Sequence, residues 1–532
     1  MSWRPHFPLS EPRPDQAKAL DWICQQFTEG HRRVICEAGT GVGKSAIAVT
    51  VASWLEEREK DVEGFLPGAT VLTSQKTLQD QYTRDFAQSR DLRSAANFKC
   101  SGPVKGTCGE TSRVRKAVGP EMANQSLRCS ACPYRSAKDD FVASPLGITN
   151  YSYALSEAMY AGELPPRRLL VLDEAHNVED EVRRWSTVEV SEYDADEFKL
   201  KLPKEEDAID WLRDVFKAAI EKKIGSVGGK LKLIVRKGNL GENTVKTLAG
   251  TNDRLDKRMC QINRLLDKGG KLLISRHESL RDGAVSLKFQ PLDVTALVGE
   301  LLYSRASATL LMSATLLDRS VFSKSVGLVG APYLSVPTPF KPSAFGVRLR
   351  PVGRMTQAHI EASLREMPKA IIKILAEHPT EKGIIHTTNY RITEALRGAL
   401  AAKHPRLMFQ QGAGDRQGML ERHLKSQEPT VLVSPSMMEG LDLRDDLGRF
   451  QIMCKVPYPD LSDPIVKAKD RDWYNWRTVR TLVQAVGRSV RSEADFTKTY
   501  ILDLAFMDLL ERAGDMLPAH LVGGIEVEDP FK

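Results

Sequence analysis

Lys44 and Ser45 close the run Ala38-Gly39-Thr40-Gly41-Val42-Gly43-Lys44-Ser45, which follows a short apolar stretch and opens a helical pattern. Glycines in such a turn let backbone N–H groups point inward around a β-phosphate, and the helix N-terminus adds partial positive charge. Lys44 is placed to bridge β- and γ-phosphates and Ser45 to ligate Mg²⁺. Alanine stands at the first position, where glycine is commoner, and leaves the inner glycines intact. Further on, the apolar run Leu169–Leu172 ends in Asp173-Glu174-Ala175-His176. Carboxylates there face the ligand edge of a parallel sheet. Asp173 suits Mg²⁺ coordination through water, and Glu174 suits a general base that polarises an attacking water. Together these residues read as a nucleoside triphosphatase.

Gln484, Arg488 and Arg491 form a third group. On a helix they lie at i, i+4 and i+7, one face, from which two guanidiniums reach across a cleft to a γ-phosphate. A fourth group is thiolate. Cys100, Cys108, Cys129 and Cys132 have the spacing C-x7-C-x20-C-x2-C and put half of the eight cysteines into 33 residues. Only Cys129 and Cys132 form a close pair, so spacing alone leaves zinc, an iron–sulfur cluster and no metal open. Cys24, Cys36, Cys260 and Cys454 lie in apolar contexts and read as buried small hydrophobes.

The elements that must position these groups alternate. Val34–Glu37 and Thr70–Thr73 read as strands, Lys44–Glu57 as an amphipathic helix and Leu78–Phe86 as another helix. Strands alternating with helices imply a parallel, doubly wound sheet. From about 93 to 140 this pattern gives way to Gly, Pro, Ser and the four cysteines, as a metal-stapled insert would. Charged helical stretches such as Asp207–Lys223 and Asn252–Leu266 follow, and Phe198–Asp282 carries 20 Lys+Arg against 12 Asp+Glu. That excess fits either a solvated helical surface or the border of a nucleic-acid path. Ala308–Met312 returns to a buried strand before Ser313-Ala314-Thr315. After the Pro-rich stretch Pro332–Pro342, a second series has strands at Gly383–His386, Val431–Ser434, Gln451–Lys455 and Thr499–Leu502.

At 532 residues the chain needs several cores, and its 42% hydrophobic and 27% charged composition is ordinary for a soluble enzyme. No run approaches the length that spans a bilayer, and the N-terminus lacks the apolar core of a signal peptide, so a cytoplasmic, nucleoid-associated protein is expected. A disulfide framework is not expected in so long a chain in a reducing compartment. A net charge of +7 gives mild support for a polyanionic partner.

Taken in order, the motifs resemble those of superfamily 2 helicases, and within them the DinG/XPD family of iron–sulfur DNA helicases. Arg13-Pro14-Asp15-Gln16 resembles the Q-motif, which implies that Arg13 and Gln16 read adenine. Ala38–Ser45 is similar to motif I, Thr73–Leu78 to motif Ia, Asp173–His176 to motif II and Ser313–Thr315 to motif III. Ile148–Tyr151 and Phe289–Val294 resemble family segments as well, and Gly383–Tyr390 occupies motif IV without the usual aromatics. Ser436–Leu443 resembles motif V, implying Gly440 and Asp442 at the nucleotide, and Gln484–Arg491 resembles motif VI.

The resemblance implies an α/β fold of two RecA-like parallel-sheet lobes with ATP and Mg²⁺ between them. Lobe 1 is expected over 1–92, 141–189 and 283–335, and lobe 2 over 336–532. An iron–sulfur insert would cover 93–140, its [4Fe–4S] cluster held by Cys100, Cys108, Cys129 and Cys132, and a helical arch would cover 190–282. The implied activity is ATP-driven 5′→3′ translocation on single-stranded DNA and unwinding of forked or R-loop-type duplex, by a monomer. An RNA or protein–DNA remodeller of the same fold is the alternative. Thr73, Ser74, Gln75, Thr387, Thr388 and Asn389 would hold strand phosphates, and Tyr151, Tyr390 and Trp473 are either base-stacking or core residues.

Overall fold

The computed structural model describes residues 2–58, 62–74, 76–99, 113, 132–236, 243–279, 282–438, 443, 445–487, 490, 492 and 494–528. Two parallel sheets of seven strands each form two RecA-like lobes. The first comprises β1 (Arg33–Ala38), β2 (Leu66–Thr73), β3 (Ser89–Asp91), β4 (Leu146–Asn150), β5 (Arg167–Asp173), β9 (Ala306–Ser313) and β10 (Tyr333–Val336), in the order β10-β1-β9-β5-β2-β4-β3. Every side chain of β5 is buried, as expected of a central strand covered on both faces. The order makes β1, β9 and β5 neighbours, so the loops after them meet at one sheet edge. These loops carry the glycine run, Ser313–Thr315 and the DEAH residues.

Helix α1 (Pro14–Thr28) packs beside α2 (Lys44–Arg58). Helix α2 is not amphipathic: Ala46 through Ala52, with Trp54 and Leu55, are buried on nearly every side. A helix between a sheet and a second helix has little wet surface, which the alternation of Lys, Ser and Glu at its ends conceals. Helix α3 (Lys76–Asp85) follows β2, and α4 (Pro133–Ala143) precedes β4. The Pro-rich stretch after residue 332 holds β10, which completes the sheet edge beside β1.

Helix α5 (Val178–Ser186) leads from the DEAH segment into an inserted unit. There the structure adds to the expected helices a three-stranded antiparallel sheet of β6 (Val188–Ser191), β7 (Leu272–Glu278) and β8 (Val285–Pro291). It packs with α6 (Lys217–Arg236) and α7 (Asn243–Lys268) around Val190, Leu212, Phe216, Ile262 and Phe289. The alternation of Val, Leu and Phe along β8 is the period-2 pattern of a half-buried strand, masked in sequence by its charged neighbours.

The second lobe comprises β11 (Phe345–Gly353), β12 (Gly383–His386), β13 (Leu407–Phe409), β14 (Val431–Ser434), β15 (Phe450–Met453), β16 (Thr497–Asp503) and β17 (Ile525–Val527), ordered β13-β14-β12-β15-β16-β11-β17. Helix α8 (Ile360–Glu377) covers one face, and α9 (Arg471–Val486) runs back to the first lobe. Trp473, Trp476 and Val466 of this lobe are buried in the first lobe's cluster with Leu297, Leu311, Leu316 and Phe322. The two lobes are therefore joined by a packed seam.

Candidate nucleotide site

The glycine run fits a phosphate. Gly41 (φ +89°) and Gly43 (φ +92°) are left-handed, a region open to glycine and strained for other residues. A Cβ at Gly39 would lie 2.4 Å from the Thr338 nitrogen, and one at Gly41 2.3 Å from the Phe340 ring. Arg13 Nη1 donates to the Gly41 carbonyl at 2.6 Å, and Gln16 Nε2 is 3.5 Å from that of Gly43. Gln16 also caps α1, its Oε1 accepting from Arg13 N at 2.9 Å. Lys44 and Ser45 stand in the first turn of α2. The left-handed glycines turn the chain directly into the helix that Lys44 opens.

Asp173 sits across from them at the end of β5. Burial and then the neighbouring Glu174 push its carboxyl up to about 6, with Lys44 pulling the other way. The buried Tyr82 hydroxyl is bonded by Ser45 and lies 3.5 Å from Asp173 Oδ2. Tyr151 donates to the Asp173 carbonyl at 2.9 Å. Ser45 and Asp173 thus share Tyr82 as a neighbour, and a hydroxyl with a carboxylate is oxygen chemistry of the kind Mg²⁺ takes. Glu174 is left-handed (φ 53°), which costs a non-glycine residue about 1–2 kcal/mol.

His176 gathers the remaining motifs. Its Nδ1 is 2.7 Å from Ser313 Oγ, and its Nε2 is 2.6 Å from the side-chain amide of Gln484, which also reaches Thr315 Oγ1 at 3.0 Å. Turning that amide would give its otherwise unpartnered Oε1 the ring N–H. Glu174 Oε2 lies 3.4 Å from the same ring. Burial pushes the imidazole down to about 3, with Glu174 opposing and Arg480 assisting, so His176 is neutral. Arg480 donates to the His176 carbonyl at 2.6 Å and to Asp180 at 3.3 Å, and Arg477 also pairs with Asp180. Burial raises the Asp180 carboxyl, but Arg477 and Arg480 together outweigh it and hold it at about 2. Beside it, the buried Glu179 accepts from Arg183 and Lys469, each at 2.6 Å, and from Trp473 Nε1 at 2.9 Å.

The structure brings Arg13, Gln16, the glycine run, Lys44, Ser45, Asp173, Glu174 and Gln484 to one cleft. Gln484 meets His176 and Thr315. Helix α9 ends at Val486, and Gly487 caps it. Glycine's freedom makes it a common stop at this point. Arg488 and Arg491 lie outside the described residues, as do Gly440, Asp442, Gln75, Cys100, Cys108 and Cys129. Cys132 is partly exposed at the start of α4. Cys24, Cys36 and Cys454 are buried, whereas Cys260 is only partly so.

Several expected strand contacts have other partners. Thr387 is buried with its hydroxyl on Thr393 at 2.6 Å, and Asn389 Oδ1 caps the following helix at Ile392 N. Tyr151 and Trp473 are core residues, while Tyr390 is exposed. Sequence reading missed Glu179, Asp180, Arg477 and Arg480. The available signal was upstream: Arg477, Arg480 and Gln484 lie at i, i+3 and i+7, on one face of α9.

Fold and site together define a two-lobed α/β protein of RecA-like sheets, with a glycine-rich strand-to-helix loop near the lobe seam. A helicase C-terminal domain family matches residues 371–522, and the res subunit of type III restriction enzymes matches 9–203. The ATP-dependent DNA helicase DinG of Photobacterium profundum is 26% identical over 249 residues, 42% of this chain and 35% of that protein. A regulator of telomere elongation helicase 1 homologue of Drosophila virilis is 31% identical over 18% of this chain and 11% of its own. These matches span well under two thirds of either relative. The ATP-dependent DNA helicase YoaA of Haemophilus influenzae is 20% identical over 92% of this chain and 91% of its own. An XPD helicase structure superposes with a TM-score of 0.63 at 14% identity, covering 98% of this chain and all of that one. A Xpd4 structure from S. tokodaii gives 0.58 at 15% identity, with 97% and 100% covered. Together these matches support a DinG/XPD-type superfamily 2 helicase.

Proposed function

We propose that this protein is an ATP-dependent DNA helicase that moves 5′→3′ along single-stranded DNA and unwinds forked or R-loop-type duplex, as a monomer. The observation that carries the reading is the cross-lobe contact of Gln484 with His176 and Thr315, which joins the counterparts of motifs II, III and VI. Arg13 and Gln16 would receive the base, and the backbone of Ala38, Gly39, Thr40, Gly41, Val42 and Gly43 the phosphates. Lys44 would neutralise the β/γ oxygens, and Ser45 and Asp173 would hold Mg²⁺, which supplies charge neutralisation on the phosphates. Glu174 would orient the attacking water, while Gln484 holds the seam in register. Arg488 and Arg491 are proposed γ-phosphate partners, and Gly440 and Asp442 would border the nucleotide from lobe 2.

Lobe 1 would take 1–92, 141–189 and 283–335, lobe 2 336–532, the cluster insert 93–140 and the arch 190–282. The resemblance to DinG/XPD helicases supports a [4Fe–4S] cluster on Cys100, Cys108, Cys129 and Cys132. Such a cluster would be a structural staple that shapes a wedge. Among the described residues no helix is long and apolar enough to cross a membrane, and we place the protein in the cytoplasm with the nucleoid. ATPase and unwinding assays on 5′-tailed, 3′-tailed and RNA substrates test this reading. Unwinding only from a 5′ tail is expected. Stimulation by RNA alone would establish the RNA remodeller instead.

A further inference from the structure

Glu37 is the last residue before the glycine run, and its side chain points away from the phosphate cradle. Its buried carboxylate accepts from Leu317 N at 2.6 Å, Ser335 Oγ at 2.8 Å and Tyr333 Oη at 3.0 Å. The three donors come from two separate segments, the turn at Leu317 and strand β10. Leu317 is itself left-handed (φ 63°), a conformation that a leucine keeps only when its surroundings impose it. The other end of that same peptide, the Leu316 carbonyl, accepts from Trp476 Nε1 at 2.7 Å. Trp476 lies fully buried on α9, the helix that ends two residues past Gln484. The Leu317 side chain packs against the cores of both lobes.

We propose that Glu37 and Trp476 are positioning residues that grip the Leu316–Leu317 segment from the two lobes, so that a change in the glycine run is passed to α9 and the Gln484–His176 contact. Glu37 is continuous with the loop that receives phosphates, and Trp476 lies two turns before Gln484 on a rigid helix. The strained segment between them, immediately after Ser313–Thr315, has little freedom to absorb a displacement. This is a two-sided grip. Losing either hand should disconnect the same link.

The inference rests on the proposed ATPase, and a double-mutant cycle tests it. Glu37→Ala and Trp476→Phe should each lower kcat for DNA-stimulated ATP hydrolysis by about ten- to a hundredfold, since small misplacements at a distance cost that much. KM for ATP and the affinity for single-stranded DNA should change less than about threefold. The double variant should be no slower than the slower single one. Multiplicative losses, or a rise in KM with kcat intact, would overturn the proposal. Should Glu37→Ala fail to fold, the volume-conserving Glu37→Gln completes the cycle under the same criterion. A wild-type protein with no ATPase would instead sink the proposed function, and the two failures are distinguishable.

Discussion

At the scale of single residues, the site depends on a few groups with unusual surroundings. Lys44 opens α2 behind the glycine cradle. Lys44→Ala is expected to lower ATP turnover by about 10²–10³-fold while leaving single-stranded DNA binding intact, read by phosphate release and fluorescence anisotropy. His176 makes a different prediction. Its folded pKa of about 3 lies below the ordinary histidine value, so between that value and about 3 the unfolded chain binds the extra proton. Its contribution is complete at neutral pH and is lost as pH falls through that window. Urea midpoints measured from pH 7 to pH 4 should fall, and His176→Gln should flatten the fall. An unchanged slope would show that His176 does not titrate this way. Residue types in the glycine run and DEAH were legible because each chemistry admits few alternatives. Glu37 was not, since a lone glutamate in a strand gives no sign of what it will meet.

At the scale of elements, the seam between α5 and α9 is the main construction. Glu179 is 2% exposed and serves Arg183, Lys469 and Trp473 at once. Glu179→Ala leaves two cations without their shared acceptor and should cost about 3–5 kcal/mol in chemical denaturation. Glu179→Gln, which keeps the side-chain volume and one acceptor oxygen, should cost less. Equal losses would mean that packing, not the charge, holds the seam. Helix α9 also shows how much a periodic reading can leave out. The sequence reading looked forward from Gln484, and the described contacts add a face that runs backward through Arg480 and Arg477. Strands β6–β8 were hidden for a related reason, because short alternating runs among charged helices carry a weak period-2 signal.

At the scale of the whole molecule, the cysteine insert and the two lobes make separable contributions. Lys44, Ser45, Asp173 and Glu174 all lie outside 93–140, so Cys100→Ser should abolish unwinding while retaining much of the DNA-stimulated ATPase. Equal loss of both would show that the insert holds lobe 1 together. A brown, iron-containing anaerobic preparation is expected, and a colourless zinc-loaded one would overturn the cluster. On its own, the sequence determined the α/β class and the phosphate cradle, because a glycine-lysine turn between strand and helix is a local solution to binding a phosphate. It also determined the order of the motifs along the chain. Only the tertiary structure decided that Gln484 closes on His176, that Asp180 draws Arg477 and Arg480 across the seam, and that Glu37 reaches Leu317. Those contacts join residues hundreds of positions apart, and their energies arise from burial and pairing that no local pattern encodes.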